Sequence, residues 1–201
     1  EGFRLAKSRN KAISIAKGEY IIVTDGDIVL AKSFVADHVL LKEKGYFVTG
    51  GRSLLLEKAT KRRLVSKNEK FTIFSPGLLR PLKLLRLPWL GRFKNNATEL
   101  RKVCGCNISF WKADCIAVNG FEEKMEGWGH EDREFIVRLF NYGIKRKHAY
   151  GLAPCVHLYH HHGDVQESKL RNQKFVNDSI AQQNVTAKIG ISQYLQPTNS
   201  K

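Results

Sequence analysis

Long apolar runs are missing from the sequence. Its 201 residues contain no stretch approaching the roughly 20 consecutive apolar residues that cross a bilayer, and its first residues do not follow the pattern of a secretory signal peptide. Hydrophobic residues make up 42% and charged residues 26% of the chain, as in globular proteins. A chain of this length buries about 70% of its surface on folding, so we expect a globular protein of cytoplasmic location.

Cysteine is scarce, and its spacing argues against a structural zinc site. The four residues lack the paired C-x2–4-C spacing of zinc ligands. A core of this size does not need disulfides, so we expect reduced and mostly buried thiols. The sequence also lacks the H-E-x-x-H pattern of zinc proteases. The cysteines are Cys104, Cys106, Cys115 and Cys155.

Acidic residues are outnumbered by basic ones. There are 19 Asp and Glu against 34 Lys and Arg, which gives a net charge of +15 and a pI near 9.8. This balance favours a polyanionic partner: nucleic acid, an anionic membrane surface or a phosphorylated substrate. No helix-turn-helix, zinc-finger or RNP-like pattern is present, so a nucleic-acid-binding module stays only as an alternative.

Apolar periodicity predicts alternating helices and strands. Residues 2–17 carry their apolar side chains near one helical face, and residues 19–24 form a short apolar run typical of a buried strand. This alternation continues and predicts an α/β fold with a mostly parallel central sheet flanked by helices. The further predicted elements are a helix over 33–44, a strand over 46–49, an extended run over 103–110, a helix over 112–118, a helix from 131, extended chain over 144–158 and a helical segment from 163 to about 188.

Residues 52–103 interrupt the alternation, and we interpret them as an insertion. Ten basic residues and one acid lie between Lys61 and Lys94, with leucines, Trp89 and prolines threaded between them. Two interpretations fit: residues 61–94 dock on an anionic membrane surface, or they form a lid with solvated charges. The predicted divisions are a main domain over residues 1–163 and a C-terminal helical segment and tail over residues 164–201.

The first candidate site is Asp25-Gly26-Asp27, directly after the predicted strand. Carboxylates two residues apart in extended chain project to the same side, and Gly26 has no side chain to block a ligand. Ligands bind at the carboxyl ends of strands in open α/β sheets. Hard oxygen ligands there suit Mg²⁺ or Mn²⁺ bridging a diphosphate. The alternative is a solvated Asp-Gly turn.

The second candidate site is Glu131-Asp132, which follows Gly127-Trp128-Gly129. Acids at a helix N-terminus stabilise the helix by about 0.3–1 kcal/mol, and this alone would explain them. A Trp between glycines, however, offers a flat apolar surface beside two carboxylates, which is typical of a sugar-stacking platform next to a general base.

The third candidate site is the histidine run that contains His157, His160, His161 and His162. Residues 156–160 alternate as a strand does, so His157 is placed to join the two aspartates as an imidazole ligand. The alternative is that the run is ordinary surface.

Together these three stretches resemble a known family. Leu5-Ala6-Lys7-Ser8-Arg9-Asn10 and the segment 16–27 are similar to the A-R-N and A-x-G-[ED]-[YF]-[IL]…D-x-D motifs of family 2 inverting glycosyltransferases of the GT-A fold. Segments 119–121 and 127–132 resemble the N-G-F and G-W-G-x-E-D block shared with the β1,4-galactosyltransferase C-terminal module, and 156–160 resembles the closing metal-histidine strand.

The resemblance implies transfer of a sugar from a nucleotide-diphosphate donor, such as a UDP-sugar, to a glycan hydroxyl with inversion. It implies a catalytic GT-A domain over 1–163 that lacks the family's N-terminal unit for gripping the nucleotide base. Asp132 corresponds to the base, and Glu131 to a residue that binds acceptor hydroxyls. The other implied roles are Mn²⁺ or Mg²⁺ ligation by Asp25, Asp27 and His157, donor binding by Lys7, Arg9, Asn10, Asp25 and Asp27, and sugar binding by Trp128, Gly129, Gly105 and Asn107.

The basic insertion, with leucines and Trp89 among its Lys and Arg residues, indicates a place of action. A lipid-linked acceptor in lipopolysaccharide or capsular polysaccharide synthesis would be met at the inner membrane face, where the basic insertion would dock. The alternatives are a catalytically inactive family member or a basic module that binds nucleic acid. In the active enzyme, the three stretches are expected to converge at one rim of the sheet.

Overall fold

The structure is a computed structural model that describes residues 2–89, 100, 103–161 and 163–195. Within these residues, no helix is long and apolar enough to cross a membrane. The helices are α1 (Leu5–Ile15), α2 (Phe34–Leu41), α3 (Glu57–Ser66), α4 (Lys112–Ala117), α5 (Glu131–Asn141) and α6 (Gln166–Ala181), with short 3₁₀ helices at Pro81–Leu84 and Ile191–Tyr194. The strands are β1 (Tyr20–Val23), β2 (Ile28–Leu30), β3 (Tyr46–Thr49), β4 (Ser53–Leu55), β5 (Leu78–Leu79), β6 (Ile108–Trp111), β7 (Lys145–His148) and β8 (Cys155–His157).

The strands form two four-stranded sheets. The first has the order β1-β6-β3-β7 and the second the order β2-β8-β4-β5. Strand β3 is parallel to β7 and antiparallel to β6. In the second sheet, β8 is parallel to β4 and antiparallel to β2, and β5 is antiparallel to β4. The predicted α/β class is confirmed, but the expectation of one mostly parallel central sheet is corrected to two mixed sheets.

Turns after three strands of the first sheet account for this difference. The chain leaves β1 through Asp25 and Gly26, β3 through Gly50 and Gly51, and β7 through residues 149–154, and each time the next strand joins the second sheet. Each turn ends one hydrogen-bonded ladder and starts another. Apolar periodicity reports that a segment is extended, but it does not report which neighbour the strand pairs with.

The chain divides into two compact units. The first unit consists of the described parts of residues 1–21, 110–144 and 163–201, and the second of those of residues 22–109 and 145–162. The basic insertion therefore belongs to the second unit, and the predicted C-terminal segment belongs to the first.

The C-terminal segment shares a core with the rest of the first unit instead of forming a separate tail. Helix α6 packs on α5, where the buried Arg138 pairs with Glu134 at 2.7 Å. Ser179 of α6 donates a hydrogen bond to the same carboxylate at 2.8 Å. Ile191, beyond α6, is completely buried. Residues after 163 are thus needed to close the core around α5.

The buried carboxylate of Asp37 organises the second unit. It accepts hydrogen bonds from Ser33 Oγ at 2.9 Å, from Ala153 N at 2.9 Å and from the Arg86 guanidinium at 2.7 Å. Burial alone would raise the pKa of Asp37, but these hydrogen bonds and the charge of Arg86 bring it below its ordinary value. One carboxylate therefore joins α2, the loop before β8 and the insertion.

The second half of the insertion is fixed to the second unit. Strand β5 pairs with β4, and Ser53 Oγ donates a hydrogen bond to the carbonyl of Arg80 at 3.0 Å. Leu87 N donates to the carbonyl of Gly151 at 2.7 Å. With the Arg86–Asp37 pair, these contacts make residues 78–87 part of the framework, so the interpretation as a loose lid does not describe them.

We predict that Asp37→Asn lowers the free energy of unfolding by about 1–3 kcal/mol at pH 7, because a neutral amide replaces the buried carboxylate that accepts hydrogen bonds from Ser33, Ala153 and the half-exposed Arg86. Since the folded-state pKa of Asp37 is lowered, its contribution is present above the unfolded-state pKa and is lost as the pH falls through the folded-state value. The difference from wild type should therefore shrink below about pH 4. Urea unfolding at several pH values measures it.

The control for this prediction is Glu69→Gln, which removes the charge of an exposed carboxylate in the same unit. Equal stability of the Asp37 and Glu69 variants at pH 7 would contradict the organising role of Asp37.

Candidate functional site

The structure brings Asp27 together with two histidines. One carboxylate oxygen, Asp27 Oδ2, lies 3.2 Å from His157 Nε2 and 2.7 Å from His160 Nε2. The antiparallel pairing of β2 with β8 places Ile28 opposite His157, and Leu158 N donates a hydrogen bond to the carbonyl of Asp27 at 2.9 Å. The three potential ligand atoms lie within 4.8 Å of one another, so the backbone pairing itself assembles the group.

His160 is the member of this group that the sequence analysis did not assign. It lies beyond the end of β8, where strand alternation no longer fixes side-chain direction. Its neighbour Tyr159 donates a backbone hydrogen bond to Thr60 Oγ1 of α3 at 3.0 Å, which holds the loop in place. A spacing of three residues from His157 is the only sequence signal for His160, and it is weak in a run of histidines.

The geometry of Asp27 fits a bound divalent cation. Its second oxygen, Oδ1, is buried and has no hydrogen-bond partner among the described residues. A buried carboxylate oxygen without a partner is costly unless another group satisfies it. One carboxylate and two imidazoles form a mixed oxygen and nitrogen ligand set of the kind that divalent transition metals accept. Asp27, His157 and His160 are therefore the residues that would hold the ion.

Burial and neighbouring charges keep the imidazole of His157 neutral, which is the form that can bind a metal. Burial and then the charge of Arg52 lower the pKa of His157, while Asp27 and Asp25 raise it less. The imidazole is thus neutral at pH 7, as ligation requires. Asp25, which the sequence analysis placed in the metal shell, is not one of the three converging groups; its charge acts on Arg52 and raises the pKa of that residue. Ligation by Asp25 stays a prediction.

Two of the α1 residues predicted to bind the donor form hydrogen bonds inside the first unit. Arg9 is buried and donates to Glu131 Oε1 at 3.0 Å. Asn10 is also buried, and its side chain exchanges hydrogen bonds with the backbone of Phe121 at 2.8 Å in both directions. Both side chains therefore hold the 121–131 segment. Lys7 is half-buried, and donor binding by Lys7 stays a prediction.

Glu131 and Asp132 lie at the start of α5 in different surroundings. Glu131 is buried against Arg9, and burial and then the charge of Asp132 raise its pKa, while Arg9 lowers it less. Asp132 is more exposed, and its Oδ1 accepts the backbone hydrogen bond of Arg133 at 2.7 Å. Of the two carboxylates, Asp132 is therefore the one that is accessible to a substrate hydroxyl.

Helix α6 holds the loop that carries Trp128, a contact that the sequence did not indicate. Ser168 Oγ accepts from Trp128 N at 3.2 Å and lies 3.1 Å from its carbonyl. Asn172 donates to the carbonyl of Gly129 at 2.9 Å, and Lys169 Nζ lies 4.6 Å from the centre of the indole ring. Gly129 has φ +109°, which a residue with a side chain rarely adopts. The loop that carries Trp128 is thus shaped by glycine and held in place by α6.

Asn107 and Gly105, predicted to line a sugar pocket, are both buried in the second unit. The Asn107 amide donates to the carbonyls of Gly51 at 2.9 Å and Ala153 at 3.0 Å, and its oxygen lies 2.9 Å from His38 Nε2. Burial lowers the pKa of His38 to about 4, so this ring is neutral and donates to the amide oxygen. Asn107 therefore joins the turns after β3 and β7, and its amide is used within the protein.

The predicted site residues thus fall into two groups. The Asp27–His157–His160 group and Asp25 belong to the second unit, and Glu131, Asp132 and Trp128 belong to the first. In the second unit the structure brings together Asp27, His157 and His160, which are far apart in sequence. In the first unit it joins Arg9 of α1 to Glu131 of α5.

Two protein families match the sequence. The model of the family described as Glycosyl transferase family 2 matches residues 1–112, and the one described as N-terminal domain of galactosyltransferase matches residues 93–161. No curated protein is similar enough to count as a relative.

The fold is similar to that of a solved glycosyltransferase. The crystal structure of GalNAc-T7 with UDP, GalNAc and Mn²⁺ superimposes with a TM-score of 0.56 at 15% sequence identity, over 88% of this chain and 34% of that one. The chain thus spans about a third of the length of that protein. At this identity the similarity concerns the fold, which is the GT-A arrangement predicted from the motifs.

We predict that Asp27→Asn, His157→Ala and His160→Ala each weaken Mn²⁺ binding at least about tenfold, since even residues that only support metal ligands change affinity by 10–100-fold. Binding should also weaken as the pH falls and the imidazoles become protonated. Calorimetric titration with Mn²⁺ measures both effects.

His161→Ala is the matched control, because His161 is an exposed histidine of the same run and is not one of the converging groups. A His160→Ala protein that binds Mn²⁺ as tightly as the His161→Ala protein would contradict the assignment of His160.

Proposed function

Because the chain belongs to glycosyl transferase family 2, we propose that it transfers a sugar from a nucleoside-diphosphate donor, a UDP-sugar, to a hydroxyl of a glycan acceptor. The observation that carries this proposal is the convergence of Asp27, His157 and His160 around a buried carboxylate oxygen that lacks a partner. The related fold of GalNAc-T7, whose structure contains UDP, GalNAc and Mn²⁺, supports both the donor and the metal.

The metal group suits the leaving group of this reaction. A bound Mn²⁺ or Mg²⁺ supplies charge neutralisation for the diphosphate as the glycosidic bond breaks. Asp27 would contribute one negative charge and imidazole ligands none, so the group would leave a divalent ion with net positive charge. That net charge would attract the diphosphate, and Asp25 is proposed as a further ligand of the ion.

Asp132 is the group proposed to take the proton from the acceptor hydroxyl. A carboxylate can act as general base when it is accessible and within reach of the hydroxyl. Asp132 meets the first condition, whereas Glu131 is buried and paired with Arg9. Trp128 provides a face on which an acceptor sugar can stack. Direct attack by the activated hydroxyl would invert the configuration of the transferred sugar.

We predict that Asp132→Asn lowers the transfer rate by about 10²–10⁴-fold, the usual contribution of a general base. Binding of Mn²⁺ and UDP should stay at the wild-type level, because Asp132 does not belong to the metal group. Transfer from radiolabelled UDP-sugars to glycan acceptors measures the rate, and NMR of the product should show inversion.

The control is Asp178→Asn, which removes an exposed carboxylate from α6 in the same unit. A product with retained configuration would contradict direct attack, and loss of Mn²⁺–UDP binding in Asp132→Asn would contradict the assignment of the base. A wild-type protein that binds Mn²⁺ and UDP but turns over no donor would identify a catalytically inactive family member.

The acceptor is proposed to be lipid-linked, as in lipopolysaccharide or capsular polysaccharide synthesis, and to be met at an anionic membrane surface. Helix α3 and the chain after it expose Leu64, Val65 and Phe74, whose accessible fractions are 62%, 86% and 86%. Exposed Lys58 and Arg62 lie one helical turn apart on α3. Apolar and basic side chains exposed on the same segment favour binding to anionic lipid.

Part of the basic charge counted in the sequence serves the fold instead. Arg86 binds Asp37, Lys61 pairs with Glu57, and Arg63 donates to the carbonyls of the 68–70 loop. Arg92 and Lys94 lie outside the described residues. The proposed membrane surface is therefore α3 and its neighbourhood rather than the whole span 61–94.

We predict that the double change Lys58→Glu, Arg62→Glu reduces binding to vesicles containing phosphatidylserine at least tenfold, since each basic residue near such a surface contributes about 1 kcal/mol. Co-sedimentation at low and high salt measures the binding. The control is Lys174→Glu, a charge reversal at an exposed residue of α6. Equal binding of the wild type to neutral and anionic vesicles would contradict the proposal.

A further inference from the structure

Arg52 directly precedes β4, the strand that pairs with the strand carrying His157. Strand β4 is parallel to β8, with Leu54 opposite His157. Ser53, the next residue after Arg52, pairs with Val156, so the backbone of Arg52 adjoins the strand that carries His157. The charge of Arg52 acts on His157, and that of Asp25 acts on Arg52, as expected for neighbouring groups.

The guanidinium of Arg52 has a negatively charged neighbour, Asp25, but most of its donors have no recorded acceptor within the part of the chain that the structure describes. No described carboxylate forms an ion pair with Arg52, whose one side-chain hydrogen bond goes from Nη1 to Cys106 Sγ at 3.3 Å. A thiol is a weak acceptor, whereas a guanidinium has five donors in a planar fork. Arg52 is half-buried; burial alone would lower its pKa, but the neighbouring Cys104, Cys106 and Asp25 raise it above the ordinary value, so the guanidinium keeps its positive charge at this position.

The side chain of Lys83, in the insertion, lies next to Gly51, the residue before Arg52. A Cβ on Gly51 would lie 3.1–3.2 Å from the end of the Lys83 side chain, including Nζ. The glycine therefore lets this lysine lie against the backbone next to Arg52. Residues that flank Lys83 are anchored, since Ser53 binds the carbonyl of Arg80 and Asp37 binds Arg86. The insertion thus holds a second cation beside Gly51 and Arg52.

Arg52 and Lys83 together offer the positive charge and the hydrogen-bond donors that bind a diphosphate. A nucleoside diphosphate carries more negative charge than one divalent ion neutralises. The planar fork of arginine binds two phosphate oxygens at once, and a lysine adds a point charge. Both residues belong to the same unit as Asp27, His157 and His160, and Arg52 adjoins the strand that pairs with that of His157.

We propose that Arg52 and Lys83 bind the diphosphate of the nucleotide-sugar donor, so that the insertion supplies part of the donor site. This inference rests on the proposed function and deepens it, because it names the residues that bind the donor's leaving group. It also gives residues 78–87 a reason to be anchored firmly, since Lys83 must stay in place to bind an anion.

The experiment compares UDP and inorganic pyrophosphate as ligands, each titrated with saturating Mn²⁺ into wild type and into Arg52→Gln, Arg52→Lys, Lys83→Gln and the double variant. We expect UDP affinity to fall at least tenfold in Arg52→Gln and several-fold in Lys83→Gln, with the largest loss in the double variant. Arg52→Lys should recover part of the affinity. Mn²⁺ affinity without nucleotide should not weaken, because the change removes a positive charge near the ion.

Lys174→Gln is the control, since it removes an exposed cation from α6 in the first unit, and thermal unfolding of each variant separates loss of binding from loss of fold. Variants that keep the fold and bind UDP like wild type overturn the inference and leave the proposed function standing. Wild type that binds Mn²⁺–pyrophosphate through Arg52 but not UDP keeps the anion site and overturns the proposed donor. Wild type that binds neither ligand overturns the inference.

Discussion

The antiparallel pairing of β2 with β8 is the contact on which the metal group depends. It places Asp27, which follows β1 in the chain, beside His157, which lies 130 positions later (157 minus 27). The register brings the two side chains together, and the loop held by Thr60 adds His160. Because a shift of one residue reverses the direction of every side chain in a strand, the group exists only in this register. One oxygen of Asp27 is buried and has no hydrogen-bond partner among the described residues. This oxygen indicates that the pairing serves to hold an ion.

The insertion has two parts with different properties. Residues 78–87 are tied to the framework by Asp37, Ser53 and Gly151, whereas α3 carries exposed apolar and basic side chains. A segment that looks in sequence like one basic, leucine-rich stretch is thus divided by its hydrogen bonds. One part supports the core of the second unit and holds Lys83 near Arg52. The other part presents a surface that the core does not use.

Much of the local structure follows from the sequence. The run before Asp25 forms a strand, acids follow Gly129 at the start of α5, and the strand over 46–49 is found as predicted, because apolar periodicity and capping are local properties. The pairing of strands is not local, so one mostly parallel sheet was expected where two mixed sheets form. The motifs identified the family, which the match over residues 1–112 confirms.

Individual side-chain roles were harder to predict, since they depend on distant partners. Arg9 and Asn10 follow a motif of donor-binding residues but are enclosed by the 121–131 segment. Asn107 is enclosed by the turns after β3 and β7. His160 and Arg52 owe their positions to contacts that have no sequence signature. In each case a residue type suited to ligand binding was visible, but only the fold decides whether its polar atoms face a ligand or another part of the chain.

Electron spin-echo spectroscopy of Mn²⁺ bound to the protein tests the central claim most directly, because it detects nitrogen nuclei bonded to the ion. Two coordinated imidazoles should give two nitrogen couplings, one of which disappears in His157→Ala and the other in His160→Ala. UDP should add couplings to its ³¹P nuclei without removing those of nitrogen. A bound ion with no histidine nitrogen coupling would contradict the account, since the ion would then be held somewhere other than the Asp27–His157–His160 group.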